Sequence, residues 1–348
     1  MKILISGASV AGPALAYFLH RDGHRVTVVE RAPALRQSGW AIDFRGAVFK
    51  VLEELDILSE VRAHATGMTG TDVLDADGDK IDELPADVFS GELEVPKRDL
   101  TRILHAHTAD AVRYVFGDSI NRIEQDDSGV RVGFERADPE SYDLVVGADG
   151  IYSVVRRLVF GPHAEAVHHL GLSGAGFSTA NHLGLDHRGA LWQQAPGRRA
   201  YLYSAADPDR MSVGFFFPTD SPALDLLGRA EQERALREHL AGGGWIVPRL
   251  LADMADASDF YFFSAAQVRI DHWSAGRVVL LGDAGYCASP TSGLGTSQAL
   301  IGASTLARHL AQTGGDHTRA FEDYEWEMRP YVTENQERGR TGAERFAE

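Results

Sequence analysis

The chain contains 348 residues, and 34 lysines and arginines against 50 aspartates and glutamates give a formal net charge of −16. At about 150 residues per domain, this length predicts two domains. The acidic surplus argues against a nucleic-acid partner, because that binding depends on cations that neutralise phosphates. It also argues against docking on an anionic membrane surface. The 44% apolar and 24% charged residues predict a globular protein with a sizeable core.

The single cysteine, Cys287, excludes an intrachain disulfide and any multi-cysteine metal cluster. It fits a reducing compartment, so we expect a cytoplasmic protein with no metal site. The apolar run after Lys2 resembles a secretory signal, but the turn at Asp22-Gly23 and the second apolar strand after it favour a βαβ unit. No run of about 20 uninterrupted apolar residues predicts a membrane span.

The βαβ unit consists of a strand over 2–6, a helix over about 12–21 and a strand over 25–30. A glycine-rich turn, Gly7-Ala8-Ser9-Val10-Ala11-Gly12, joins the first strand to the helix. Gly7 permits a tight turn, a small residue at position 9 lets the backbone approach a pyrophosphate, and Gly12 allows close packing of helix and strand. Amides at the start of the helix would bind phosphate oxygens.

Glu30 ends the second strand, 18 residues after Gly12, where a dinucleotide fold places an acidic residue on the adenosine ribose. The sequence therefore predicts dinucleotide binding. Two alternatives stay open: a plain turn in a nucleotide-free α/β domain, and a hydrolase nucleophile elbow centred on Ser9. The second departs from its motif at Ala11, and no earlier loop is present to complete an oxyanion hole.

Further elements follow in chain order. A helical pattern spans 48–64, a hairpin turns around Asp77-Gly78, and a helix covers 96–109. Strands over 112–137 precede a buried strand that ends at Asp149-Gly150. Aromatic-rich strands then alternate with turns from about 167 to 270, around one helix near 224–240, which is typical of an antiparallel sheet. A buried strand before Gly282, a helix over 296–311 and a helical stretch from His317 complete the chain.

Two further glycine turns follow apolar strands. One is Asp149-Gly150, and the other is Gly282-Asp283-Ala284, followed by Gly293-Leu294-Gly295 at a helix start. A helix start presents free amides and the positive end of a dipole, which suits negative charge developing on a ring carbonyl or nitrogen.

With these motifs, the sequence resembles the FAD-dependent class A monooxygenases, the aromatic hydroxylase family that includes para-hydroxybenzoate hydroxylase and the tetracycline-inactivating monooxygenases. The resemblance spans nearly the whole chain and includes Glu30-Arg31, Arg98 in VPKRDLTRIL, and the run from Trp273 to Ala284. It implies that FAD is the cofactor, with these contacts: Gly7, Ser9, Val10, Ala11 and Gly12 on the pyrophosphate; Glu30, followed by Arg31, on the adenosine ribose; Arg45, Arg98, Asp149 and Gly150 elsewhere on the cofactor; Gly282 and Asp283 on the ribitol or pyrophosphate; Gly293, Leu294 and Gly295 at the flavin.

The chain departs from the family pattern at four positions. Ser9 replaces the usual middle glycine, Tyr286 stands where histidine is common, Ser297 where asparagine is common, and Gly302 where aspartate is common. These departures bear on the substrate and on the fine positioning of the flavin.

The expected fold class is α/β: a Rossmann-like FAD-binding domain with a mixed sheet, into which a substrate domain built on an antiparallel β-sheet is inserted. We expect the FAD-binding domain over 1–70, 97–166 and 272–316, and the substrate domain over 71–96 and 167–271. The range 317–348 is expected to form a C-terminal helical segment.

The resemblance implies a monooxygenase in which NADPH or NADH reduces the flavin, and a C4a-hydroperoxyflavin then transfers one oxygen atom from O₂ to an aromatic or polyketide-like small molecule. The flavin carries this chemistry, so no catalytic side chain is assigned. Strand alternation gives these candidates for the substrate pocket: Trp192, Tyr201, Tyr203, Phe215, Phe217, Tyr261 and Phe263. The alternatives are a flavin-dependent dehydrogenase or reductase and a non-catalytic flavin- or ligand-binding protein. We expect a monomer or a weak homodimer.

Overall fold

The computed structural model describes residues 1–36, 39–194, 197–205, 207–220 and 224–347. Its helices are α1 (Ala11–Arg21), α2 (Val48–Glu54), α3 (Leu58–Ala63), α4 (Asp87–Ser90), α5 (Lys97–Ala106), α6 (Val154–Val159), α7 (His163–Ala166), α8 (Arg229–His239), α9 (Val247–Asp253), α10 (Asp283–Tyr286), α11 (Gly295–Gln312) and α12 (His317–Ala347). Its strands are β1 (Lys2–Ser6), β2 (Arg25–Glu30), β3 (Ala41–Phe44), β4 (Gly70–Leu74), β5 (Lys80–Pro85), β6 (Leu93–Pro96), β7 (Arg113–Phe116), β8 (Ile120–Asp126), β9 (Gly129–Phe134), β10 (Glu140–Tyr142), β11 (Leu144–Gly147), β12 (Val167–Ala180), β13 (Arg188–Gln194), β14 (Arg198–Ser204), β15 (Arg210–Pro218), β16 (Tyr261–Val268), β17 (Ser274–Ala275) and β18 (Val278–Leu280).

A six-stranded sheet runs in the order β17-β18-β11-β1-β2-β7. Every neighbouring pair is parallel except β17 with β18. The carboxyl ends of β1, β2, β11 and β18 therefore lie along one edge of the sheet. Chain order reverses beside β1, and in open α/β sheets such a switch point is where ligands bind. Apolar faces of α1, α5 and α11 cover this sheet and form the largest core cluster.

A seven-stranded sheet runs in the order β16-β12-β15-β14-β13-β4-β5. Its strands pair antiparallel, apart from β13 with β4, which pair parallel. The sheet is thus mixed rather than purely antiparallel. Since β4 comes from far upstream and joins β13 without a hairpin, no short turn fixes its direction.

A two-stranded ribbon, β3 with β6, lies between the two large sheets, and β8, β9 and β10 form a small antiparallel sheet. On the ribbon, Phe44 and Val95 belong to the core under the six-stranded sheet. Asp43 and Glu94 are opposite each other in the register and point to the other side of the ribbon.

Two helical predictions differ from the structure in detail. The pattern over 48–64 forms two helices, α2 and α3, because Asp56 adopts a left-handed conformation with φ 56° between them. The helix expected near 224–240 begins with a 3₁₀ turn, Leu224–Leu226, before α8. None of the helices within the described ranges combines the length and apolar character needed to cross a bilayer.

The long helix α12 joins both large sheets. A Cβ on Gly339 would lie 1.9 Å from the Ala288 carbonyl oxygen, and one on Gly342 would lie 2.3 Å from that of Thr291. Only glycine permits this approach of the helix to the segment before α11. Near its end, the Phe346 ring packs against Phe216 of the seven-stranded sheet, with ring centroids 5.2 Å apart.

Candidate active site

The three glycine turns meet at the carboxyl edge of the six-stranded sheet. A Cβ on Gly7, whose φ is 109°, would lie 2.3 Å from the Ala148 carbonyl oxygen. A Cβ on Gly282, with φ 64°, would lie 3.4 Å from the Cβ of Ala11. The structure therefore brings the turns after β1, β11 and β18 into direct contact.

The turn over 7–12 leaves the start of α1 open for an anion. A Cβ on Gly12 would lie 2.0 Å from the Gly7 carbonyl oxygen, so only glycine fits there. No described side chain caps α1, and its first turn contains no acidic residue. The first amides of the helix thus lack partners within the helix and keep their positive dipole end uncompensated. Ser9 is exposed beside them, whereas Val10 is buried.

The carboxylate of Glu30 is held rigidly at the end of β2. Its two oxygens accept hydrogen bonds from the amides of Ala8 and Ala32, each at 2.9 Å. Glu30 is half-buried and Arg31 beside it is exposed. The remaining lone pairs of the carboxylate can accept hydrogen bonds from a ligand.

Asp149 organises the second turn. Its carboxylate accepts hydrogen bonds from the Ser153 hydroxyl at 2.5 Å, the Val154 amide at 2.8 Å and the Ser6 hydroxyl at 3.3 Å. Burial raises the pKa of Asp149, and the Ser153 hydrogen bond opposes that shift. Most of the hydrogen-bonding capacity of this carboxylate is used within the protein. Gly150, with φ 83° and nothing within 4 Å of where a Cβ would lie, is the more open residue of the pair.

Arg156 ties the second turn to the third. Its side chain is fully buried and donates hydrogen bonds to the carbonyl oxygens of Ala284 at 2.7 Å and Ile151 at 2.6 Å. Burial lowers the pKa of Arg156, and the charge of Asp149 opposes that shift. A guanidinium holding two carbonyls in fixed directions makes the two turns one rigid unit.

Asp283 is surrounded by protein atoms, but its side chain is accessible to solvent because it faces the open cleft between the turns. Surrounding protein raises its pKa, while the charge of Lys97 and a hydrogen bond with Cys287 lower it. Asp283 begins α10 directly after β18. It therefore offers an accessible acceptor where the three turns meet.

Cations approach the cleft from two directions. Lys97 and Arg98 begin α5; Lys97 is half-buried and Arg98 is exposed. Burial raises the pKa of the Tyr203 hydroxyl, and the charge of Arg98 is among the effects that oppose this shift. Arg45 is held by the protein: its Nε is 2.8 Å from Asp43 Oδ2, and its Nη2 donates to the Asp87 carbonyl oxygen at 2.8 Å.

The start of α11 forms a second open helix end. Gly293 is left-handed, with φ 69°, and Leu294 is the N-cap without a side-chain hydrogen bond. The first turn carries no acidic residue. A Cβ on Gly293 would lie 3.8 Å from Asp43 Oδ1, and one on Gly295 would lie 4.0 Å from Asp283 Oδ1. The free amides of α11 thus lie between the cleft and the ribbon.

Two of the departures from the family pattern, Tyr286 and Gly302, are in contact in the structure. A Cβ on Gly302 would lie 2.3 Å from the Tyr286 hydroxyl, so the tyrosine occupies the space that the missing side chain leaves. That hydroxyl lies 2.6 Å from the hydroxyl of Tyr324 on α12, and burial raises the pKa of Tyr286 to about 12. The hydroxyl of Ser297 is fully buried and has no hydrogen-bond partner among the described residues.

The seven predicted aromatic residues divide between the two faces of the seven-stranded sheet. Alternation along the paired strands places four on the face toward the ribbon, which we call the front face: Tyr201, Tyr203, Tyr261 and Phe263. The other three belong to the core cluster on the back face, under α8 and α9: Trp192, Phe215 and Phe217. These three are fully buried there, so their assignment to the substrate pocket is corrected. Phe216, one position along β15, lies on the front face instead.

Glycines make the front face concave. Gly176 on β12 lies opposite Gly214 on β15 and Tyr261 on β16, and Gly174, two residues earlier on β12, is on the same face. Flat rings lie over them: a Cβ on Gly176 would be 2.1 Å from Trp40 Nε1, and one on Gly214 would be 2.3 Å from the same indole. The Nε1 of Trp40 is buried without a hydrogen-bond partner among the described residues.

Sequence reasoning missed Trp40, Phe216 and Lys97. Trp40 precedes a short strand, and nothing in its neighbourhood indicates which sheet it covers. The glycines at 174, 176 and 214 were the available signal, because glycine inside a strand marks a close approach by another group.

These features fit FAD. Two helix starts offer free amides, one suited to a pyrophosphate and one to the electron-rich edge of a flavin. A fixed carboxylate at Glu30 suits ribose hydroxyls. An accessible Asp283 lies between them, and the glycines at 7 and 12 leave no room for a side chain in the cradle.

Comparison with known proteins agrees with this geometry. The model of the FAD binding domain family matches residues 1–338. A flavin-dependent monooxygenase of Legionella longbeachae is 35% identical, with 99% of this chain and 90% of the relative covered. An uncharacterized protein of Mycobacterium tuberculosis is 41% identical, covering 96% and 91%. The crystal structure of tetracycline destructase Tet(55) superposes with a TM-score of 0.91 at 38% identity, covering 99% of this chain and 90% of that one. This chain therefore belongs to the FAD binding domain family, and it is an FAD-dependent monooxygenase.

Proposed function

We propose that this monooxygenase inserts one oxygen atom into an aromatic or polyketide-like small molecule that lies between the front face of the seven-stranded sheet and the start of α11. When bound, FAD takes two electrons from NADPH or NADH and passes one atom of O₂ to the substrate and the other to water. The observation that carries the proposal is the concave aromatic front face opposite an open helix start.

The proposed FAD contacts follow the three turns. Amides of Ser9, Val10 and Ala11 would bind the pyrophosphate at the start of α1, and Glu30 the adenosine ribose. Asp283 would accept hydrogen bonds from the ribitol. Arg98 and Lys97 would offset the negative charge of the phosphates, which supports FAD binding in a protein of net charge −16.

The amides of Gly295 and the residues after it would stabilise negative charge on the reduced flavin. A helix of 18 residues directs its positive end at that position, and no side chain caps it. Leu294 and Gly293 shape the turn so that a flat ring can approach the backbone.

The substrate class is supported by the front face and by the relatives. Tyr201, Tyr203, Tyr261 and Phe263 offer flat apolar surfaces with polar edges, which suit fused or single aromatic rings. Tetracycline destructases of known structure are 36 to 38% identical to this chain. A tetracycline-like polyketide is thus the first substrate to test.

The proposed division of the chain follows the two large sheets. We propose an FAD-binding domain over 1–70, 97–166 and 272–316, a substrate domain over 71–96 and 167–271, and a C-terminal segment over 317–348. We also propose that the protein is cytoplasmic and a monomer or weak homodimer. Analytical ultracentrifugation of the FAD-loaded protein tests the oligomeric state.

The test begins with cofactor binding. Purified protein should bind one FAD per chain, and Asp283→Ala should raise the FAD dissociation constant by about 10- to 100-fold, the range of one hydrogen bond to a charged group. Asp138→Asn, on an exposed loop, is the matched control and should leave it unchanged. An unchanged constant in Asp283→Ala would contradict the role given to that carboxylate.

The oxygenase assay then uses ¹⁸O₂, NADPH or NADH, and a panel that starts with tetracycline. One labelled atom should appear in the product for each nicotinamide oxidised. Nicotinamide oxidation with transfer of electrons to the organic molecule and no labelled oxygen in it would instead identify a dehydrogenase or reductase.

A further inference from the structure

The side chain of Trp40 lies in the concave part of the front face. A Cβ on Gly176 would be 2.1 Å from Trp40 Nε1, and one on Gly214 would be 2.3 Å from Trp40 Cζ2. A side chain at either glycine would therefore take the space of the indole. The two glycines are opposite each other in the register of β12 and β15. We call the area over them the ring seat.

Three aromatic rings stand around the ring seat. The ring centroids of Phe216, Phe263 and Tyr261 lie 4.9, 5.6 and 6.3 Å from that of the indole, at interplanar angles of 75°, 76° and 72°. These are edge-to-face pairs, an arrangement that aromatic rings prefer. The contacts depend on the flat shape of the indole and use none of its polar atoms. Another flat aromatic ring in the seat can therefore make the same contacts.

The indole has an unsatisfied polar atom in the ring seat. Nε1 of Trp40 is buried and has no hydrogen-bond partner among the described residues. On the back face, the indole of Trp192 instead donates from Nε1 to the Ala76 carbonyl oxygen at 3.2 Å. A buried tryptophan N–H usually finds such a partner, and leaving it unpaired costs free energy. An aromatic ring without an N–H at this point avoids that cost.

The backbone of Trp40 is held in place, while its side chain borders solvent. The Trp40 carbonyl oxygen accepts a hydrogen bond from the Lys97 amide at 3.1 Å. The next amide, that of Ala41, donates to the Tyr203 hydroxyl at 3.0 Å. Trp40 itself is half-buried. The indole can thus leave the seat by rotation of its side chain alone, and Nε1 then meets water.

The ring seat lies within reach of the start of α11. Asp43 Oδ1 is 3.8 Å from where a Cβ on Gly293 would lie. Trp40 precedes Asp43 by three residues, and an extended chain spans at most about 11 Å over that length. A substrate of several fused rings can therefore place one ring in the seat and another near the start of α11.

We propose that the ring seat is a binding subsite for one flat aromatic ring of the substrate, and that this ring displaces the indole of Trp40. This inference rests on the proposed function, because the substrate brings the ring. The incoming ring takes over the contacts with Phe216, Tyr261 and Phe263, and the displaced N–H gains water. Trp40 competes for the subsite and lowers the apparent affinity of every molecule that uses it. A molecule without a flat ring gains no such contacts and leaves the indole in place.

A tryptophan that forms a fixed wall of the pocket predicts the opposite behaviour. Such a residue would stack on the substrate, so its removal would weaken binding. Displacement predicts that removal of the indole strengthens binding, because the ring seat is then always open. The sign of the change in affinity therefore separates the two roles.

The first experiment measures binding of 2-naphthol, a flat bicyclic molecule, to the FAD-loaded protein by calorimetry. Trp40→Ala should lower its dissociation constant about 10-fold, the change expected when the seat is open in about one wild-type molecule in ten. The matched control is Trp326→Ala, the same change at a residue that is 81% exposed on α12, and it should leave the constant unchanged. Gly214→Ala, added to Trp40→Ala, should abolish the gain because the new methyl group fills the seat.

The second experiment uses the wild type labelled with 5-fluorotryptophan, so it does not depend on the folding of a variant. The fluorine resonance of Trp40 is identified by its absence from Trp40→Phe. Saturation with 2-naphthol should raise the shift of this resonance between H₂O and D₂O to that of the exposed Trp326, since the displaced indole is in water.

Three results would each overturn the inference. They are equal or weaker binding of 2-naphthol in Trp40→Ala, a solvent shift of the Trp40 resonance that does not rise on saturation, and no binding of 2-naphthol by either protein. The proposed function fails separately if no panel member acquires labelled oxygen, since the binding measurements require no turnover.

Discussion

The two faces of the seven-stranded sheet carry the same strands but differ in what covers them. On the back face, Trp192, Phe215 and Phe217 interdigitate with α8 and α9 and are fully buried. On the front face, glycines lie next to tyrosines of neighbouring strands, and the covering groups include the Trp40 indole, the Phe346 ring of α12 and a ribbon that carries carboxylates. Aromatic content alone thus does not identify a pocket. The difference lies in whether the opposite layer is apolar and close-packed.

The largest expected effect is on the back face. Trp192→Ala should lower the free energy of unfolding by about 4 kcal/mol, because it leaves a large cavity in a close-packed core. The same change at Trp326, which is 81% exposed on α12, is the control and should stay within about 0.5 kcal/mol. Urea denaturation at saturating FAD measures both. A small effect of Trp192→Ala would show that the back face is open.

The pH dependence of the free energy of unfolding should come largely from Glu94, on the ribbon that covers the front face. Burial raises the pKa of Glu94 from 4.5 to about 7 in the folded protein. The contribution of its protonated form to the free energy of unfolding is therefore fully present below about pH 4.5 and is lost as the pH rises through 7. Glu94→Gln should therefore gain up to about 3 kcal/mol relative to wild type at pH 8 but not at pH 4.5. Denaturation at several pH values measures this. Trp192→Ala, in contrast, should cost the same at each pH.

The smallest effect concerns the glycines of the front face. A Cβ on Gly176 would lie 2.1 Å from Trp40 Nε1, so Gly176→Ala forces the indole to move and should cost about 2 kcal/mol by overpacking. The shift should also change KM for the substrate more than the FAD dissociation constant. Gly228→Ala, where the added Cβ meets only the end of Glu231 at 3.7 Å, is the control. Equal effects of the two changes would mean that Trp40 is not packed on the glycines.

The cofactor half of the site was accessible from the sequence, since parallel strands put their carboxyl ends, and hence the turns at Gly7, Asp149 and Gly282, at one edge. The substrate half was not. Phe215 and Phe216 are adjacent, and assigning either to the pocket requires knowing which face of β15 the helices cover. The break between α2 and α3 could not be predicted for a related reason. Helical spacing of apolar residues continues across Asp56, and only the left-handed backbone of Asp56 ends the helix.

The glycine contacts of α12 set an order of events during synthesis. The turn at Gly7 leaves the ribosome early, but its partners at Ala148 and Gly282 follow much later, and the segment before α11 is held by Gly339 and Gly342 of α12. At about 5 to 20 residues per second, the nascent chain therefore exposes an incomplete cofactor cradle for many seconds. Capture of the vitamin-derived cofactor is a late step, and the emerging N-terminal half has to stay soluble without it.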